Sequence, residues 1–193
     1  MRRMNVKKII PLICAVCIPF LCGCKSREIR NVLEQMMREE VILPDNMTRI
    51  QKGKVDTVKT VTTKPTLIIW IDSLQCSSCR VNQLHRYYEL YEKAKKDATF
   101  EMLILFSPVK RDIPYLTHML LVRNFSFPVY IDSNNDFPLF NTIPDAPEYH
   151  SFLLDHRRMP TYVGDPTTNN KLWSLFCTVV KRETIETINN QTN

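Results

Sequence analysis

Cys76 and Cys79 are the residues of this 193-residue chain whose type and spacing most directly imply chemistry. Two cysteines three apart on the first turn of a helix can bring their sulfurs to bonding distance, and the free N–H groups of that turn favour a thiolate. Spacing alone decides little, since Cys14 and Cys17 repeat it inside an apolar run. Placement is what distinguishes the second pair. Cys76-Ser77-Ser78-Cys79 stands just past the apolar segment TLIIWI, Thr66 to Ile71, and opens an amphipathic stretch.

The chemistry expected of such a pair is thiol–disulfide exchange, with a redox-active disulfide and no other cofactor. Cys76, nearer the helix N-terminus and solvent, is expected to attack through its thiolate. Cys79, expected to be the more buried, resolves the mixed disulfide. Asp72, four residues before Cys76, is a candidate to assist deprotonation of Cys79; its structural alternative is to cap the end of the strand. Cys177 reads as a small buried hydrophobe. His85, His118 and His156 show no metal-ligand spacing with the dithiol or with one another, and no metal site is expected. No P-loop, dinucleotide-binding glycine pattern or hydrolase triad is present in the sequence.

The elements that must position the pair follow from hydrophobic patterning. TLIIWI, nearly continuous in apolar and β-branched residues, predicts a central strand covered on both faces. Arg80 to Asp97 predicts a helix with Val81, Leu84, Tyr88 and Tyr91 on its buried stripe. Strands are expected over 101–106 and 127–132, separated by a helix starting at Asp112-Ile113-Pro114. SFLLD and PTYVG, joined by the turn HRRM, predict an antiparallel hairpin. A closing helix over 170–189 would bury Leu172, Leu175, Phe176 and Val179. The order strand, helix, strand, helix, strand followed by a hairpin makes the fold class α/β, a central mixed sheet with flanking helices. Upstream, 26–40 suggests a short amphipathic helix through Ile29, Val32, Leu33 and Met36, and 46–63 a strand or two.

The N-terminus carries a different message. Arg2, Arg3, Lys7 and Lys8 precede the apolar run IIPLICAVCIPFL, the pattern of an export signal. As a helix that run would span about 20 Å, short of the roughly 30 Å bilayer core, so cleavage is favoured over a permanent span. Leu21-Cys22-Gly23-Cys24 resembles a bacterial lipobox, which makes Cys24 the expected lipidation site and membrane anchor. Loss of residues 1–23, with four basic and no acidic side chains, lowers the formal charge from +6 to +2. The remaining basic residues are scattered among 20 acidic ones, which excludes a nucleic-acid-binding face. Of seven cysteines, only Cys76, Cys79 and Cys177 would remain as thiols.

LIIWIDSLQCSSCRVNQL resembles the strand, active-site turn and helix of the thioredoxin superfamily, particularly its exported, membrane-tethered thiol-disulfide oxidoreductases. IDSxxCSSC with HSFLLD and VGDP is similar to a group of uncharacterised thioredoxin-like lipoproteins. The resemblance covers roughly Pro65 to Ile188 and implies a thioredoxin-like three-layer sandwich. Its organisation is expected as a lipoprotein signal peptide over 1–23, a tether with a short helix and strand over 24–63, the thioredoxin-like domain over 64–189 and a flexible tail over 190–193. It also implies a periplasm-facing location and, as partners, exported protein thiols or disulfides and a membrane electron donor.

Two departures stand out. Thioredoxins usually carry Trp before the first cysteine and Gly-Pro between the pair, where this chain has Gln75 and Ser77-Ser78. They also place a cis-proline immediately before the strand matching Phe152 to Asp155, where this chain has Tyr149 and His150. By that correspondence, His150 or Tyr149 is expected to face Cys76, an imidazole there stabilising the thiolate or moving a proton. Trp70 takes the position of the family's buried acid and is expected in the core. The residues leave reductase, oxidase and isomerase directions open. Two rival readings are a Cu(I)-binding or chaperone protein using the same Cys76 and Cys79, with His150 as an optional third ligand, and a non-catalytic interaction module on the same scaffold.

Overall fold

The computed structural model describes residues 27–60 and 62–191. The export segment 1–23, the candidate anchor Cys24 and the last two residues of the expected tail lie outside these. The chain divides into two units, one ending at Met36 and the other running from Met37 onward. Among its described residues the first unit holds helix α1, 27–36.

The second unit is built on one seven-stranded sheet. In chain order its strands are β1 (Asn46–Gln51), β2 (Lys54–Lys59), β3 (Thr66–Ile71), β4 (Glu101–Phe106), β5 (Val129–Ile131), β6 (Ser151–Leu154) and β7 (Pro160–Val163). They lie in the order β2-β1-β5-β4-β3-β6-β7. β3, β4 and β5 run parallel, whereas β1, β6 and β7 join by antiparallel pairing. The β1–β2 hairpin, expected within the tether, is thus part of the central sheet.

β3 sits between β4 and β6, and all six of its residues are buried. A strand covered on both faces has no polar side to present, which is why TLIIWI lacks alternation. Leu67, Ile69 and Ile71 join one apolar core with residues of α2 (Ser77–Gln83), α3 (Tyr88–Asp97), α4 (Ile113–Arg123) and α6 (Asn170–Gln191). On the other face Trp70 packs against Phe137 of α5 (Asp136–Phe140), ring centroids 5.5 Å apart. The result is an α/β arrangement of three layers, as expected.

The helix after the dithiol departs from the expected stripe. A 3₁₀ turn, Leu84–Tyr87, interrupts it between α2 and α3. The buried residues are Val81, Leu84, Tyr87, Leu90 and Ala94, the first four spaced three apart, and Tyr88 is 51% exposed. The cause is the tighter winding of a 3₁₀ turn, about 3.0 residues against 3.6. Tyr87 enters the core, and its hydroxyl donates to Asp165 at 2.7 Å. Asp165 also pairs with Arg86 at 2.9 Å, which fastens the loop before α6 to this helix. In α6, Phe176, Val179 and Val180 are buried, whereas Leu175 is 51% exposed. That stripe is therefore rotated from the expected one, and α6 runs two residues into the expected tail.

Candidate functional site

The parallel strands β3, β4 and β5 end together, and the chain beyond them forms the site. Asp72 closes β3. Its Oδ1 accepts the N–H of Leu74 at 3.1 Å and of Gln75 at 2.9 Å. This Asx turn reverses the chain and delivers Cys76 to the start of α2. Asp72 therefore occupies the strand-capping position, with its bonds directed at the turn.

Cys76 is the N-cap of α2, with extended backbone at φ −65° and ψ 99°. Its Sγ accepts the backbone N–H of Cys79 at 3.3 Å, the place usually taken by a Ser or Asp oxygen. Cys76 and Cys79 are joined as a disulfide, with Cα atoms 5.3 Å apart. Since a disulfide sulfur has no proton, the Ser78 hydroxyl is the donor in its 3.3 Å contact with Cys76 Sγ. Ser78, one of the two residues standing where the thioredoxin pattern has Gly-Pro, thereby touches the Cys76 sulfur.

Both cysteines are exposed. Cys79, expected to be the more buried of the two, is thus itself open to solvent. Val81 is the buried residue of α2. At about 100° per residue, Cys79 lies roughly 200° around the helix from it, on the side away from the core.

His150 ends the 3₁₀ turn Pro147–Tyr149, directly before β6. It is 2% exposed, and its backbone carbonyl accepts the N–H of Trp70 at 2.8 Å. Its imidazole is tilted against the Trp70 ring at 4.4 Å. Nε2 lies 2.9 Å from the Pro144 carbonyl, and Nδ1 lies 2.8 Å from Nε2 of Gln75. The ring therefore faces the residue before Cys76, and both nitrogens are occupied by partners other than sulfur. Burial lowers the His150 pKa, outweighing the pull of the Pro144 carbonyl, Asp72 and Asp145. Tyr149 is half-buried, and among the described residues no hydrogen bond links its side chain to the dithiol.

Beneath the turn, Trp70 donates its indole N–H to Ser107 at 3.1 Å, and Ser107 donates to Asp132 at 3.2 Å. Asp132 is 1% exposed and also accepts the N–H groups of Asp136 and Phe137. This buried relay holds β3, β4, β5 and α5 in register under the dithiol, and every group in it has a partner. Ser107 carries no local sequence signal, and Gln75 carries only its departure from the Trp usual before the first cysteine. Cys177 is a free thiol, partly buried and packed against the core. Among the described residues, no three His, Cys, Asp or Glu side chains gather as a metal site.

A disulfide at the N-cap of the helix that follows a central parallel strand, with an antiparallel hairpin on that strand's other side, makes the architecture thioredoxin-like. No family model matches the chain. No curated protein matches it either. Among solved structures it is similar to an uncharacterised thioredoxin-like protein from Porphyromonas gingivalis, with 18% identity, 75% of this chain and 92% of that one covered, and a TM-score of 0.49. A protein from Bacteroides thetaiotaomicron, provisionally assigned as a disulfide isomerase, is 15% identical over 80% and 94% of the two chains, with a TM-score of 0.48. A Chlorobium tepidum protein, provisionally assigned as the thiol:disulfide interchange protein DsbE, is 14% identical over 74% and 98%, with a TM-score of 0.44. At these identities no activity transfers from one chain to another.

Proposed function

We propose that the chain is a thiol-disulfide oxidoreductase whose working group is the Cys76–Cys79 pair. The observation that carries this reading is an exposed disulfide whose Cys76 sulfur accepts two hydrogen bonds, one from Cys79 N–H and one from Ser78 O–H. Donors aimed at a sulfur stabilise it most when it is a thiolate, because hydrogen bonds to a charged acceptor are roughly twice as strong as neutral ones.

In the reducing direction the Cys76 thiolate attacks one sulfur of a substrate disulfide. The substrate S–S bond breaks, and the first substrate thiolate leaves and takes up a proton. The Cys79 thiolate then attacks Cys76 Sγ, expelling the second substrate thiolate. Two electrons pass to the substrate, and the chain is left as the disulfide. In the oxidising direction a substrate thiolate attacks Cys76 Sγ and the same steps run backward. Exposure of both sulfurs gives a substrate access in either direction.

The Cu(I) reading uses the same two sulfurs, with His150 as its candidate third ligand. With one ring nitrogen on Pro144 and the other on Gln75, His150 is already fully used. That leaves two sulfurs alone for a metal, and the oxidoreductase reading, which uses the disulfide as it stands, is preferred.

The proposed setting is extracytoplasmic and periplasm-facing, with Cys24 as lipid anchor. The proposed partners are exported protein thiols or disulfides and a membrane electron donor. The basic, apolar and Leu-Cys-Gly-Cys order of residues 2–24 supports this setting. Among the described residues no helix is long and apolar enough to cross a membrane.

Two experiments test the reading. Cys79→Ser leaves Cys76 without its resolving thiol, so mixed disulfides with exported proteins should accumulate on Cys76; an empty trap under oxidising growth contradicts catalysis. Cys24→Ser should release the protein from the membrane fraction and abolish labelling by a fatty-acid probe. Unchanged labelling contradicts the anchor.

A further inference from the structure

Gln75 is held at two points. Its backbone N–H is bonded to Asp72, and its side-chain amide is bonded to His150, 75 residues away. The next residue carries the reacting sulfur.

The partners of His150 fix its state. A carbonyl oxygen only accepts, so Nε2, 2.9 Å from Pro144 O, carries the ring proton. Nδ1 is then a bare acceptor, and Gln75 Nε2–H donates to it. The imidazole is neutral. Its depressed pKa agrees, with burial and the Arg80 charge acting against the proton, and the Pro144 carbonyl, Asp72 and Asp145 acting for it. The ring itself cannot drift. It rests against Trp70, while the residue's backbone carbonyl accepts the Trp70 backbone N–H and its backbone N–H donates to Pro147 O at 3.2 Å.

A neutral ring with both nitrogens engaged can neither give a proton to sulfur nor take one without first losing Pro144 or Gln75. Its remaining leverage on Cys76 is mechanical. We propose that the Gln75–His150 hydrogen bond positions Cys76 in the disulfide geometry and so sets the dithiol–disulfide equilibrium, with His150 acting as a positioning residue and not as a proton partner of the sulfur.

The proposal rests on the oxidoreductase reading. The bond is present in the disulfide form, where it restrains the residue preceding Cys76. Reduction separates the sulfurs, and the restraint opposes that movement. Losing the bond therefore favours the dithiol. The balance concerned is protein disulfide plus two glutathione thiols going to protein dithiol plus glutathione disulfide, with two electrons and two protons moving to the protein. One hydrogen bond of ordinary net strength corresponds to a change of about three- to tenfold in that constant.

The test measures the equilibrium constant with glutathione for the full chain and four variants. Gln75→Ala removes the donor. His150→Phe keeps a ring against Trp70 and removes both hydrogen bonds. The third variant combines them. His150→Gln restores one donor and one acceptor. The expected result is a three- to tenfold shift toward the dithiol for each single variant, no further shift in the double, and partial recovery with His150→Gln. Gln75→Ala lying within twofold of the parent overturns the proposal, as does a double variant whose effect is the product of the singles. Should His150→Phe fail to fold, Gln75→Ala decides alone, since Gln75 is only half-buried. A parent protein that never exchanges with glutathione overturns both this proposal and the oxidoreductase reading, whereas normal exchange with equal constants throughout overturns only this one.

Discussion

Cys79 donates its backbone N–H to the sulfur of Cys76 at 3.3 Å, so that a disulfide sulfur fills the role of a helix N-cap. A capping oxygen is permanently polar, but a sulfur becomes a strong acceptor only as a thiolate. The cap at α2 is therefore strongest in the reduced, deprotonated state, and the start of this helix is tied to the redox state of the pair.

Ser78 strengthens the same sulfur. Removing its hydroxyl with Ser78→Ala should lower the Cys76 thiolate fraction near neutral pH by severalfold to about tenfold, the difference of about 1 kcal/mol between a hydrogen bond to a charged acceptor and one to a neutral acceptor. The rate of alkylation of reduced Cys76 by iodoacetamide reads this directly. Ser78→Thr, which keeps the hydroxyl, should retain most of the rate. An unchanged rate in Ser78→Ala would show that the hydroxyl does not bear on the reactive form.

Asp72 should matter to stability more than to chemistry. Its carboxylate accepts the N–H groups of Leu74 and Gln75 and is 8% exposed. Asp72→Ala removes the side-chain acceptor of both, leaving Gln75 N–H only the Asp72 backbone carbonyl at 3.3 Å, and should cost about 1–2 kcal/mol, the usual loss for a removed cap. Asp72→Asn keeps an acceptor and should cost less. Denaturant unfolding measures both. Loss of exchange activity in Asp72→Asn with stability intact would instead give the carboxylate a role in proton transfer.

His150 makes stability depend on pH with a definite sign. Its folded pKa is lowered, chiefly by burial. The unfolded chain takes up a proton near pH 6.5, while the folded chain stays neutral until lower pH. The folded state thus binds fewer protons in that window. Stability attributable to His150 is complete above about pH 6.5 and falls as pH drops toward the folded pKa, with a slope of at most about 1.4 kcal/mol per pH unit for one proton. Asp72, Asp145 and Arg80 also face the ring, so the parent must be compared with His150→Phe. Below pH 6.5 the parent should lose stability more steeply than the variant; parallel curves would contradict a neutral buried imidazole.

The parts of this fold legible in the sequence are those whose environment is uniform. β3 and β4 lie in the interior of the mixed sheet, so their apolar runs coincide with their ends. The dithiol was legible because its motif is local. Tyr88 and Leu175 were misassigned to buried stripes for a different reason. A 3₁₀ turn resets the helical phase before Tyr88, and a stripe one residue out of register exposes Leu175 while Val180 is buried. Neither shift leaves a mark in composition. The Gln75–His150 bond joins residues 75 apart, and nothing in either local sequence announces it. Gln75 did stand out as a departure from the thioredoxin pattern, which is the one signal that pointed toward it.

The central claim is that Cys76 and Cys79 cycle between disulfide and dithiol in exchange with other thiols. A titration of the full chain across glutathione redox buffers, with alkylation and mass measurement at each point, tests it most directly. A single reversible two-electron transition is predicted, with two thiols appearing together and Cys76 alkylating faster than Cys79. A pair that stays oxidised in every buffer, or that opens only when the protein unfolds, would contradict the account and make the bond a purely structural one.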